Sequence, residues 1–206
     1  MEEVSIVLHE LRVGRSSALE EKILNELAFV GLEKSRMKIS IEKQENFNER
    51  GFDDVCFLIS TNPGEPLMPL EKVLSGGELS RIMLALKCVF AEKDEIPTLI
   101  FDEIDTGISG AVAQRVGEKM YQLSCTHQVL CITHLPQIAV LSDHHYFVTK
   151  NVIDNKTFTS IKILKIEEKQ LEISKMLSGN DVTEATLNNV KEMIKLSEKR
   201  KKEIKN

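Results

Sequence analysis

Apolar residues in the first 34 positions recur at spacings of three and four, with charged residues between them. Val4, Val7, Leu8 and Leu11 share one face of a helix, and Ile23, Leu24, Leu27 and Val30 continue the pattern further along the chain. The pattern is interrupted at residues 14–17. It predicts a helix over 4–34, either amphipathic and packed on a surface or forming the end of a coiled coil.

Beyond residue 36 the pattern changes to alternation and to short apolar runs. We predict strands at 37–43, 55–60, 98–101, 127–133, 145–150 and 157–164. Predicted helices lie at 75–92, 109–124, 135–141, 167–177 and 182–203, the last with Asp181 as its N-cap and with a turn at 154–155 before the final strand. Strands that alternate with helices indicate the α/β class, with a mostly parallel sheet flanked by helices.

Composition narrows the classes of function. The chain has 206 residues, 42% hydrophobic and 29% charged, which predicts one domain with an appendage. No apolar run reaches the length of a membrane span and no signal peptide is recognisable, so we expect a cytoplasmic protein without membrane contact. The four cysteines lack zinc-like spacing. A net charge of −5 makes the whole chain a poor binder of nucleic-acid phosphates.

The C-terminal segment departs from this acidic balance. Residues 191–206 hold seven Lys or Arg against three Glu, a local net charge of +4. Such a segment could contact phosphates. A basic, solvated helix end is the more common explanation and is favoured here.

Leu74-Ser75-Gly76-Gly77-Glu78 precedes an apolar helix pattern. Glycines at a helix start let a ligand approach the backbone, and the free N–H groups with the Ser75 hydroxyl suit a phosphate. An ordinary capped helix explains the segment equally well, because Ser is a good N-cap.

Two carboxylates, Asp102 and Glu103, follow the apolar strand 98–101. Side chains at the carboxyl edge of a parallel sheet are where α/β folds bind ligands. One carboxylate can hold Mg²⁺ through its waters, and the next can polarise an attacking water. A solvated strand end is the alternative.

Two further residues complete an ordered series. Asp105 lies in a tight turn after the carboxylates, and His134 follows the next strand, where it could hydrogen-bond a γ-phosphate. The other four histidines receive no role, and a metal site at 143–145 is disfavoured. A glycine-rich helix start, two acids, an Asp turn and a strand-end His are far more specific in this order than singly.

This order resembles the C-terminal lobe of ABC-type ATPases, and its details resemble the RecN group of SMC-like bacterial DNA repair proteins. The matching stretches are LISTNPGEP, LSGGELSRIMLALK, ITHLPQIA, ISKMLSG and TEATL, within residues 20–190. Cys56 departs from the acidic residue expected there. An isoleucine at 104, where transporter subunits usually have proline, disfavours a transporter.

The resemblance implies an ATP- and Mg²⁺-dependent site. Asp102 would hold Mg²⁺ through water, and Glu103 and His134 would complete the catalytic set. The residues expected to bind nucleotide are Ser75, Gly76, Gly77, Glu78 and Asp105. It also implies a head domain that pairs with a second head and acts on DNA at the bacterial nucleoid.

A phosphate-binding loop of the form G-x-x-x-x-G-K-[ST] is absent, because none of the 10 glycines precedes a lysine. In SMC-like proteins an N-terminal lobe carries that loop, and a coiled coil separates the two lobes. We therefore expect a helical arm at 1–36, an ATPase lobe at 37–206 and a partner lobe with the Walker A loop. The alternative is an inactive fragment or a non-enzymatic interaction module with the same fold.

Overall fold

The computed structural model describes residues 2–72, 76–93, 95–153 and 156–205. Its elements in chain order are α1 (Glu2–Phe29), β1 (Arg36–Asn48), β2 (Gly51–Ser60), β3 (Met68–Pro69), α2 (Gly76–Phe90), β4 (Thr98–Phe101), α3 (Gly110–Ser124), β5 (Gln128–Cys131), α4 (Pro136–Ala139), β6 (Tyr146–Ile153), β7 (Lys156–Ile163), α5 (Ile166–Ser178) and α6 (Glu184–Lys205). They form two compact units, Met1–Ile96 and Pro97–Asn206.

In the first unit, the second half of α1 packs against an antiparallel sheet of order β1-β2-β3 and against α2. Alternation in β1 turns Met37 and Ile39 inward. Ile23 and Leu27 of α1 meet Met37 and Ile59 in one buried cluster. The apolar residues that alternate along the strands and those that recur every three to four positions along α1 thus pack in a single core.

The far end of the β1–β2 hairpin reaches the first half of α1 through the buried carboxylate of Asp53. His9 Nδ1 lies 2.7 Å from Asp53 Oδ1, and Arg12 donates to Oδ2 at 2.7 Å and to the Arg50 carbonyl at 3.0 Å. Gly51 has φ +91°, and a Cβ there would lie 3.4 Å from the Ser5 hydroxyl. The Asp53 carboxylate therefore holds the end of the hairpin against α1.

In the second unit, β4 and β5 pair in parallel, with Phe101 opposite Cys131. Helix α3 packs against β5 and α4, and Gly117 permits a close approach because a Cβ there would meet the Leu141 side chain at 2.7 Å. A second cluster joins residues 139–141 to Ile173 of α5 and Val190 of α6. Strands β6 and β7 form a separate antiparallel hairpin.

The fold class is confirmed: the chain is α/β, with a long N-terminal helix and a parallel strand pair flanked by helices. Among the described strands the parallel pairing is confined to β4 and β5, since β1–β2, β2–β3 and β6–β7 are antiparallel. None of the described helices is long and apolar enough to cross a membrane.

Some local predictions were wrong. Helix α1 is a single helix as predicted, also through residues 14–17, where the Ser16 hydroxyl bonds the Val13 carbonyl at 2.9 Å, but it ends at Phe29 and not at residue 34. The N-cap of α6 is Thr183, whose hydroxyl accepts from the Thr186 amide at 3.2 Å, and not Asp181. The predicted turn at 154–155 lies outside the described residues.

Candidate functional site

The carboxyl ends of β4 and β5 lie side by side and carry the predicted site residues. The Ile132 amide bonds the Phe101 carbonyl at 3.0 Å, so the pairing continues one residue past β5. Asp102, Glu103 and Asp105 follow β4 directly, and His134 follows β5. Parallel pairing therefore brings all four to the same edge of the sheet.

Asp105 connects the two strand ends. Its Oδ2 accepts from the Thr133 hydroxyl at 2.6 Å and from the His134 backbone amide at 2.8 Å. The Thr133 oxygen in turn accepts from the Leu135 amide at 3.1 Å. The Asp105 carboxylate is buried, and these bonds lie inside the chain. The geometry gives this aspartate a positioning contact toward His134; a direct contact with nucleotide stays a prediction.

The imidazole of His134 is held at one nitrogen and open at the other. Nδ1 lies 3.0 Å from Asp105 Oδ2, while the side chain is 73% exposed. Within the described residues, Nε2 makes no hydrogen bond. A protonated ring donates from both nitrogens, so Asp105 would receive one bond and leave Nε2 to donate outward. An orientation of this kind suits contact with an anionic oxygen.

Glu103 has a strained backbone. Its φ is +56°, and no other non-glycine residue in the described part of the chain has a positive φ. The Glu103 amide donates to Asp102 Oδ1 at 2.9 Å, and its carbonyl accepts from the Thr106 amide at 3.1 Å. Both carboxylates are exposed. Strain held by a tight turn is a feature that clusters at functional sites.

Cys131, at the end of β5, lies close to the negative charges of Asp102 and Asp105. Burial raises the pKa of its thiol, and the nearby charges of Asp105 and Asp102 raise it further, to about 12. The thiol therefore stays neutral at physiological pH and is a poor nucleophile. The same negative field at the strand ends would attract a cation.

The predicted glycine-rich helix start belongs to the first unit. Helix α2 begins at Gly76, Gly77 is buried, and Ser75 with Leu74 lies outside the described residues. Glu78 accepts from the Thr61 hydroxyl at 3.1 Å, which ties the loop after β2 to the first turn of α2. Burial lowers the pKa of Arg81, one turn later, although the Glu78 charge opposes that shift.

Sequence reasoning overlooked two residues that the structure connects to charged partners. Thr133 was taken only as part of a strand, although a hydroxyl residue just before the strand-end histidine is a usable signal. His9 received no role, yet it meets Asp53 from 44 residues away, which spacing alone could not indicate. Within the described ranges there is no cluster of three metal-ligating side chains, and Asp143 instead pairs with Lys201 at 2.9 Å.

Comparison with known proteins shows which family the chain resembles. No family model matches the chain. The DNA repair protein RecN of Halalkalibacterium halodurans is 43% identical over 201 residues, which cover 96% of this chain. RecN of Bacillus subtilis is 51% identical over 71% of the chain, and RecN of Vibrio cholerae is 43% identical over 91%. The chain belongs to the RecN family.

This RecN-family chain spans about a third of the relatives it matches: 36%, 26% and 34% of their lengths. Solved structures agree on the fold. The Smc head domain with a coiled coil and joint from Pyrococcus yayanosii matches 77% of this chain and 29% of its own, with TM-score 0.54 and 18% identity. An Smc head from Pyrococcus furiosus matches 79% of this chain and 38% of its own, with TM-score 0.51 and 19% identity.

Proposed function

We propose that this chain is the C-terminal half of an ATPase head in a RecN-type protein of DNA double-strand break repair and recombination. The observation that carries the proposal is the edge formed by β4 and β5. There Asp105 orients an exposed His134 beside two exposed carboxylates, one of which is held in a strained turn. Membership of the RecN family supports nucleotide binding as the chemistry of that edge.

The roles follow from the groups themselves. Asp102 presents a hard carboxylate oxygen, which fits a Mg²⁺ ion bound through water. That ion would neutralise charge on the phosphates. Glu103 would orient and deprotonate the attacking water, and His134 would donate from Nε2 to a γ-phosphate oxygen. Ser75, Gly76 and Gly77 would face the nucleotide of a second head, with Glu78 setting the first turn of α2.

The presence of a partner lobe is inferred from apolar strand faces that are exposed in the described part of the chain. Ile100 of β4 is 70% exposed, and Ile132 is 62% exposed. The β6–β7 hairpin exposes one face: Tyr146, Val148, Val152, Ile161 and Ile163. Parallel strands are normally covered on both faces, and an isolated hairpin is marginal in water. We infer that a lobe carrying the phosphate-binding loop covers them.

The beginning of α1 supports the proposed division into an arm (1–36) and a lobe (37–206). Val4, Val7 and Leu11 are each more than half exposed, whereas Ile23 and Leu27 are fully buried. The first half of α1 would thus continue into a coiled coil, and its second half would anchor the arm in the head. Binding of ATP would bring two such heads together, and hydrolysis would separate them.

Complementation tests the proposal. The chain alone should not hydrolyse ATP, because it has no phosphate-binding loop. Adding the loop-bearing segment of a RecN relative should produce turnover, and Glu103→Gln should abolish turnover while trapping an ATP-bound dimer. Glu167→Gln, at an exposed glutamate on α5, is the matched control and should behave like the unmodified chain. Robust hydrolysis by the isolated chain would overturn the half-site assignment.

A non-enzymatic interaction module is the second candidate, favoured by the missing loop. It predicts that the added segment binds without producing turnover. The same assay therefore decides between the two, provided that binding is measured alongside hydrolysis.

A further inference from the structure

The seven cationic residues near the end of α6 fall into two sets. Three of them are used inside the second unit. Arg200 bonds Glu118 and Glu203, Lys201 bonds Asp143 and Glu198, and the Lys205 ammonium lies 5.5 Å from the centre of the Tyr121 ring. Each of these three side chains therefore contacts other residues of the second unit.

The other four, Lys191, Lys195, Lys199 and Lys202, are exposed and make no hydrogen bond or ion pair with any residue in the described ranges. Their spacings of four, four and three residues place them within an arc of about 80° on a helix of 3.6 residues per turn. They extend over about 16 Å, with successive ammonium groups one turn apart. We name this set the lysine stripe.

The stripe keeps its positive charge although three glutamates lie between residues 191 and 206. Glu198 and Glu203 are each bonded to a cation of the internal set. Glu192 is exposed and lies next to the stripe, where it offsets part of the charge. The stripe is therefore a local cationic line on a chain whose net charge is −5.

We propose that the lysine stripe binds the phosphate backbone of duplex DNA. This deepens the proposed function, on which it rests for the choice of partner. A line of flexible point charges fits a line of phosphates. The opposite side of α6 is packed through Val190, Ser197 and Lys201, and the contacts expected from the stripe are to phosphates, which carry no sequence information. Binding through the stripe is thus independent of sequence.

The test measures the salt dependence of binding to a labelled duplex by fluorescence anisotropy, without nucleotide. Replacing the four lysines of the stripe by glutamine should reduce the slope of log K against log salt by about three to four. The matched control replaces Lys34, Lys72, Lys150 and Lys156, four exposed lysines elsewhere, and changes the net charge equally. It should leave the slope nearly unchanged.

A third variant works in the opposite direction. Glu192→Gln removes the acidic neighbour and should tighten binding about twofold at low salt, a gain that misfolding cannot produce. Equal losses in the stripe and control variants would overturn the proposal. The DNA-binding test contains no ATP, and the complementation test contains no DNA. A negative result in one experiment therefore does not change the conclusion from the other.

Discussion

Asp53 and Asp105 are both buried carboxylates that meet a histidine, one in each unit, but they leave their histidines in different states. Asp53 is paired with His9 and Arg12, and the His9 side chain is only 19% exposed. Asp105 accepts from Thr133 and from the backbone and ring of His134, which stays 73% exposed. The first aspartate closes a contact, while the second orients a group toward solvent.

The charges of the partners explain this difference. A guanidinium and an imidazole can satisfy a buried carboxylate completely, which suits an anchor between α1 and the β1–β2 hairpin. A hydroxyl and an amide satisfy most of Asp105 with neutral donors, so the imidazole needs to contribute only Nδ1. An anchoring contact with Asp53 therefore accounts for His9, whereas the exposure and orientation of His134 support the role proposed for it.

Removing Asp105 should have the largest effect on activity. In the chain complemented with a loop-bearing lobe, Asp105→Ala should reduce kcat up to about 100-fold, because His134 loses its orientation. The measurement is steady-state ATP hydrolysis, with ring ¹⁵N shifts of His134 reporting the loss of the Nδ1 contact. Asp53→Ala is the control and should leave kcat per folded molecule unchanged. Equal kcat for Asp105→Ala and the unmodified chain would refute the positioning role.

Removing the charge of Asp53 should have its effect on stability instead. Asp53→Asn weakens the bonds to Arg12 and His9 and should lower the free energy of unfolding by about 2 kcal/mol. Urea unfolding measures this, with Asp54→Asn at the exposed neighbouring position as the control. If both variants were equally stable, the hairpin end would not be anchored through Asp53.

The stabilisation by Asp53 should also depend on pH. Burial by itself would raise the pKa of Asp53, but the bonds and charges of Arg12 and His9 lower it below the ordinary 3.8. A depressed pKa means that the contribution is present at neutral pH and is lost as pH falls below about 4. The stability difference between the chain and Asp53→Asn should therefore shrink in acid, and a difference that grew there would contradict the sign.

The smallest expected effect concerns the strained turn. Glu103→Gly should raise the free energy of unfolding by about 0.5 to 1 kcal/mol, because glycine adopts a positive φ without strain. The same change should abolish hydrolysis in the complemented chain. Asp102→Gly, at a position with no positive φ, should give no such gain. A loss of stability on Glu103→Gly would mean that the side chain, rather than strain, dominates at this position.

Local patterns predicted most of the fold. The strand at 98–101 and the helix ending at Ser124 have the expected bounds, because period and flanking residues agree there. The antiparallel pairing of β1 with β2 was not predicted, because strands were expected only at 37–43 and 55–60, whereas the two strands extend to Asn48 and back to Gly51 across a short turn. The interruption at residues 14–17 affects the pattern of apolar residues only, and the backbone of α1 stays helical there.

The residues of the candidate site were predictable from the sequence, but the hydrogen bonds between them were not. Asp102, Glu103, Asp105 and His134 stood out by their order along the chain. The hydrogen bonds from Thr133 and His134 to Asp105 depend on how two strands end side by side, and the positive φ of Glu103 depends on the turn between them. Neither property belongs to a single segment, so neither is visible in spacing.

The central claim is that each ATP site combines the strand-end edge of one head with the α2 start of another. Mixing two inactive complemented variants, Ser75→Arg and Glu103→Gln, tests it directly by ATP hydrolysis. Mixed dimers of a twofold assembly retain one intact site, so the mixture should recover about a quarter of the unmodified activity. No recovery, in samples where cross-linking demonstrates mixed dimers, would contradict the claim.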